Sequence, residues 1–194
     1  MHEQTPAGKA ISTHEKAIQL AADAAAHAHQ GHYRKSGKSP YIIHPKHVAD
    51  WVEFYGGDHI GIIAAWLHDV IEDCNEGENI VLDTLRSLDL PQKERDEIFA
   101  IVSALTKNDA IEGKSARLAD TLERINQAPP QAILIKLCSR MDNLVDVRDR
   151  EQAFINQYLC LTDQLIDALS DGAVRNGYTP ALETLSELRR TFSE

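Results

Sequence analysis

Apolar and polar positions recur with a helical rather than a strand period along almost the whole chain. Ser12 and Glu15 match a capping box ahead of an alanine-rich helix from Thr13 to about Gln30. Gly31 to Pro40 reads as a basic loop, and Pro45, at a first-turn position, opens a helix through Val48, Val52 and Phe54 that Gly56-Gly57 stop. A third helix runs from about Asp58 to Cys74, followed by a polar, loop-like stretch from Asn75 to Asn79. Further helices are predicted around Val81 to Leu88, from Pro91 through Leu105, and from Gly113 to about Gln127. An apolar helix follows Pro129-Pro130, an amphipathic one spans Gln152 to Leu169 until Gly172 and Gly177 break it, and Thr179-Pro180 cap the last. With no internal repeat and no strand series, the pattern predicts an all-α helical bundle. It forms a single domain over residues 11–194, behind a flexible N-terminus at 1–10.

The third helix breaks its own pattern. In the apolar run from Ile60 to Asp73, four ionisable residues intrude: His68, Asp69, Glu72 and Asp73. Such groups inside a buried helix are costly unless paired or bound to a cation. At about 100° per residue they fall within one arc of roughly 140°. Gly61 and Ala65 share that arc and leave room for a ligand, while Leu67, Val70, Ile71, Ile63 and Ala64 fill the opposite side. His68-Asp69 supplies two metal-ligand types, and His44, held before Pro45, is the best third ligand from a separate element. Two imidazoles and a carboxylate suit Mn²⁺, Fe²⁺ or Zn²⁺. Glu72 and Asp73 are then candidates for general acid–base work, for orienting the attacking water, or for hydrogen bonding to the histidine ligands. The remaining histidines carry less: His27 and His29 read as packing or surface residues, His47 faces differently from His44, and His2, His14 and His59 have no evident partners. Trp51 and Trp66 read as core.

Composition narrows the partners. At 194 residues, 43% hydrophobic and 26% charged, the chain is a globular protein of ordinary domain size. A net charge of −10 argues against nucleic acid held by general electrostatics. A small anionic substrate is still compatible, because basic residues cluster at Arg34, Lys35, Lys38 and Lys46. The loop from His32 to Pro40 combines cations, hydroxyls and glycine in a way suited to phosphate and to stacking on a nucleobase. Cys74, Cys138 and Cys160 lack CxxC spacing and read as free thiols in a reducing cytoplasm. No secretory signal and no apolar run of membrane-spanning length is visible, so a cytoplasmic protein without membrane contact is expected.

Three segments then resemble a known family: Ala28 to Gly37, Pro40 to Pro45, and the HDxxED element His68 to Asp73. Together with Leu105-Thr106-Lys107 and Ile135-Lys136-Leu137, Arg140 and Asn143, in the same order, they look like the HD hydrolase domain of RelA/SpoT-type alarmone enzymes. The likeness spans roughly residues 14 to 165 and implies a stand-alone small alarmone hydrolase, all-α, that uses Mn²⁺ to remove the 3′-pyrophosphate from ppGpp and pppGpp. It implies His44, His68 and Asp69 as metal ligands and Glu72 and Asp73 as catalytic residues. Arg34, Lys35, Ser36, Lys107, Asn143 and Tyr158 would contact the nucleotide, a small-molecule partner, and self-association into a homo-oligomer stays open. Adenine alarmones or NADPH are alternative substrates, and a degenerate protein that binds nucleotide without turnover is the alternative outside enzymes.

One departure stands out. The family helix reads Lys-Leu-Ala-Asp-Arg-Leu-His-Asn, and its Asp is a further metal ligand; here Ser139 takes that position. Asp142, about 60° off the same face, and Asp146, about two turns on, are the candidates to replace it. Otherwise water fills the place. Lys38-Ser39 also makes the basic loop one residue longer than the usual bacterial form.

Overall fold

A computed structural model describes residues 11–34, 39–148 and 150–192. The expected flexible N-terminus at 1–10 and the loop residues Lys35 to Lys38 lie outside the described residues. The described chain folds into α1 (Thr13–Ala28), α2 (Ile43–Phe54), α3 (His59–Leu67), α4 (Val70–Asp73), α5 (Gly77–Ser87), α6 (Gln92–Leu105), α7 (Lys114–Gln127), α8 (Gln131–Val147), α9 (Gln152–Arg175) and α10 (Thr179–Arg190). The all-α expectation holds, with one isolated antiparallel bridge between Tyr33 and Pro40 at the base of the basic loop. Among the described residues no helix is long and apolar enough to cross a membrane.

Helix α3 is the axis of the bundle. Seven of its nine residues are buried, and it packs on α1, α2, α6 and α8. A helix apolar on all sides belongs at the centre of a core. The side chain of Asp58 caps it, accepting from the N–H groups of Ile60 and Gly61, and Gln131 at the start of α8 donates to the same oxygen at 2.7 Å. This cap corrects one expectation. Gly61 is small because α8 needs the space: a Cβ there would lie 2.0 Å from Oε1 of Gln131. Gly61 and Ala65 are buried in packing and line no ligand space.

Three boundaries also differ from the pattern. The helix expected over Asp58 to Cys74 is interrupted at His68-Asp69, between α3 and α4. Nδ1 of His68 bonds the carbonyl of Ala65 at 2.7 Å, an acceptor that a continuous helix would offer to the N–H of residue 69. Helix α5 begins at Gly77, earlier than expected, after Glu76 turns through a left-handed φ of 56°. Gly77 lies so close to α4 that a Cβ would be 2.1 Å from the carbonyl oxygen of Val70. Helix α9 runs through Gly172, which packs against Ile133, and ends only before Gly177 with φ 80°.

Candidate active site

His68, buried to 4% exposure, leaves the end of α3 with its tautomer set by the Nδ1–H to Ala65 bond. Its Nε2 therefore carries the lone pair, and that buried nitrogen has no hydrogen-bond partner among the described residues. It lies 3.2 Å from Oδ2 of Asp69, while Nε2 of His44 lies 3.4 Å from the same oxygen. A cation bound at about 2.1 Å to such donors would hold them about 3.0–3.5 Å apart. One ligand atom from each of His44, His68 and Asp69 falls within 4.8 Å of the others, so the donor set fits a divalent metal. Burial, ahead of the opposing pull of Asp69, holds the His68 imidazole below its usual range and hence neutral. Burial pushes the Asp69 carboxyl up, but its neighbours, the hydroxyl of Tyr41 at 2.7 Å and the ammonium of Lys107 among them, hold it below the ordinary carboxylate range.

Asp142 does not join this set. Its Oδ2 accepts from Nδ1 of His44 at 2.6 Å, on the opposite side of the ring, and its other oxygen accepts from His47 at 2.7 Å. Asp142, one of the candidates to replace the missing family carboxylate, instead orients His44 from behind, a carboxylate–histidine pairing that fixes the tautomer and strengthens a ligand. His47 shares that carboxylate through its other oxygen. Asp146 accepts from Nε of Arg34 at 2.6 Å, and Arg34 also reaches Asp142 at 3.1 Å. Ser139 does face the centre, with Oγ 3.3 Å from Nε2 of His44.

The centre opens into a cleft of about 770 Å³. Glu72, Asp73, Arg34, Lys107, Ser139, Asn143 and Tyr158 line it, so most of the sequence candidates converge; Lys35 and Ser36 lie outside the described residues. Glu72 is ion-paired with the ammonium of Lys107 and also accepts from the backbone N–H of Lys107 at 3.3 Å. Arg124 sets that position from behind, donating to the carbonyls of Ser103, Ala104 and Thr106 where α6 ends. Burial, then the charges of Asp69 and Glu72, push Asp73 above the ordinary carboxylate range.

The sequence pattern missed most of the cleft's positive charge. Lys114 and Arg117 of α7, Lys136 and Arg140 of α8, and Arg150 add to Arg34 and Lys107 in a chain of net charge −10. Burial, followed by repulsion from Arg140 and Lys107, pulls Lys136 down to about 8. The guanidinium of Arg140 sits 4.4 Å from the ring centre of Tyr158, and Phe154 stacks beside that ring. Spacing within one segment carries no sign of this convergence, because α7, α8 and α9 meet only in the folded chain.

Known proteins resemble this chain in sequence and in fold. A guanosine-3′,5′-bis(diphosphate) 3′-pyrophosphohydrolase of Aquifex aeolicus is 35% identical over 133 residues, covering 68% of this chain and 18% of that protein. A GTP pyrophosphokinase of Streptomyces coelicolor is 31% identical over 134 residues, covering 68% and 15%. The chain thus spans less than a fifth of the length of these curated relatives. A solved structure described as a metazoan ortholog of SpoT that hydrolyzes ppGpp superposes with a TM-score of 0.72 at 23% identity, covering 95% of this chain and 98% of that one, a likeness of fold. The family model described as HD domain matches residues 21–161, from within α1 to within α9. This chain belongs to the HD-domain family.

Proposed function

We propose that the chain is a divalent-metal-dependent hydrolase that removes the 3′-pyrophosphate from ppGpp and pppGpp. The observation that carries this is the convergence of His44, His68 and Asp69, with Nε2 of His68 otherwise unpartnered among the described residues, beside a cleft of cations and stacked aromatic rings. The activity named for the Aquifex aeolicus relative supports the substrate. Mn²⁺ is the cation proposed, since two imidazoles and a carboxylate suit it.

When bound, the cation supplies Lewis-acid chemistry, polarising the phosphoryl group and easing deprotonation of the attacking water. The protein's residues do the rest. Lys136 and Arg140 hold phosphate oxygens, Tyr158 and Phe154 offer a platform for the base, and Asn143 lines the same cleft. Asp73, raised by its burial and by Asp69, accepts a proton from water, and Glu72 keeps Lys107 at the cleft. Water attacks the phosphorus bonded to O3′, the P–O3′ bond breaks, O3′ takes up a proton, and pyrophosphate is released. The protein works in the cytoplasm, where its nucleotide substrate is, without nucleic acid or membrane.

The test is release of pyrophosphate from ppGpp by Mn²⁺-loaded protein, with pppGpp, adenine counterparts and NADPH alongside. Activity on the guanine alarmones that disappears in His68→Ala supports the proposal; orthophosphate alone, or release from NADPH only, replaces the substrate. Ser139 beside His44 favours one second reading, a nucleotide binder without turnover, which tight ppGpp binding with no product would establish.

A further inference from the structure

Beside the active site lies a second group of metal-ligating side chains that the proposed reaction does not use. His29 ends α1, His32 follows on the loop, and Cys74 follows α4; one donor atom from each lies within 4.8 Å of the others. His29 is buried to 3% exposure, in keeping with its reading as a packing residue. Its Nδ1, the nitrogen that faces the cluster, meets only the sulfur of Cys74, at 3.5 Å, while that thiol donates to the carbonyl of Ala28 at 3.4 Å. Buried polar groups are normally bonded, so an imidazole held by one soft contact stands out.

We propose that His29, His32 and Cys74 form a second cation site, selective for Zn²⁺. Thiolate with imidazole is the donor chemistry of zinc, unlike the nitrogen and oxygen donors of His44, His68 and Asp69. Geometry agrees. Zinc bound tetrahedrally at about 2.3 Å to sulfur and about 2.05 Å to nitrogen separates the two by about 3.6 Å, close to the observed 3.5 Å between Cys74 and His29. The His32 ring stands edge-on to His29 with centroids 5.6 Å apart, and one of its nitrogens lies within 4.8 Å of the other two donors. Three protein donors leave the fourth tetrahedral position for water. Tyr41 separates the two sites, its ring 4.8 Å from that of His29 and its hydroxyl on Asp69, so no residue is shared.

Without a cation both partners are neutral: burial pushes the Cys74 thiol up to about 11 and pulls the His29 imidazole down to about 4. Binding expels the thiol proton, so affinity rises with pH.

Cobalt is the probe. Metal-free protein titrated with Co²⁺ is expected to develop the near-ultraviolet thiolate-to-cobalt absorption, and Zn²⁺ is expected to abolish it by displacement. Cys74→Ser removes the band, and His32→Ala, at an exposed residue whose loss leaves the core intact, weakens Co²⁺ at this site by roughly tenfold or more. Co²⁺ binding without the band, a band that survives Cys74→Ser, or unchanged affinity in His32→Ala overturns the proposal. Whatever binds at His44, His68 and Asp69 gives no thiolate band, so failure here leaves the proposed function untouched.

Discussion

Replacing Lys136 by methionine is expected to stabilise the metal-free protein, and the size follows from the amine's position. Lys136 lies between Ile135 and Leu137 on α8, partly buried beside Arg140 and Lys107, and these surroundings lower its pKa from 10.5 to about 8. The drop corresponds to about 3 kcal/mol against the folded state at neutral pH. Below about pH 8 the amine is charged in both states and the full penalty applies. Between about 8 and 10.5 the folded chain releases the proton while the unfolded chain keeps it, so stability rises with pH. Above that range the penalty is gone. Methionine has similar length and no charge, so urea unfolding at pH 7 is expected to show Lys136→Met more stable by about 2–3 kcal/mol, the advantage falling by more than half by about pH 9.5. A variant no more stable than the parent at pH 7, or an advantage unchanged at pH 9.5, refutes the reasoning. The same variant is expected to bind ppGpp more weakly, since a phosphate would restore the charge that the empty cleft disfavours.

Four further outcomes follow from the site. Asp142→Asn removes the charge behind His44 and is expected to weaken Mn²⁺ about 10–100-fold by calorimetry, with unchanged affinity ruling out the orienting role. Ser139→Asp adds a carboxylate beside Nε2 of His44 and is expected to tighten Mn²⁺ in the same titration; a looser site would mean the position cannot reach the cation. Tyr158→Leu removes the ring under Arg140 and is expected to weaken nucleotide binding by about 1–3 kcal/mol, read as a higher KM with a smaller change in kcat. Gly77→Ala drives a Cβ against the backbone of Val70 and Ile71 and is expected to destabilise by about 1–3 kcal/mol, visible as a lower Tm; an unchanged melting curve would show that α4 yields freely.

Much of the molecule was legible from local pattern. Helical period, the Ser12–Glu15 capping box and glycine at helix ends are properties of neighbouring residues, so α1, α2 and α6 to α10 follow from spacing. The site was partly legible for an energetic reason: ionisable groups in an apolar run need a partner, which singled out His68, Asp69, Glu72 and Asp73. His44 was reachable because the prolines flanking it mark a fixed turn into a helix.

What only the tertiary structure decided concerns partners far apart in the chain. Asp142 lies 98 residues from His44, and whether it faced the cation side or the back of that ring depended on how α8 crosses α2. The cations and aromatics of α7, α8 and α9 form one cleft wall only once those helices pack. Gly61 proved to be a contact for Gln131 instead of ligand space, and His68 ended its helix by taking a carbonyl from its own backbone. By itself the sequence determined the helices and the four groups that could not stay unpaired in a core, because periodicity and burial cost act over a few turns. Which nitrogen, which face and which charge meet across the cleft is set by packing between segments, and no spacing along one helix encodes it.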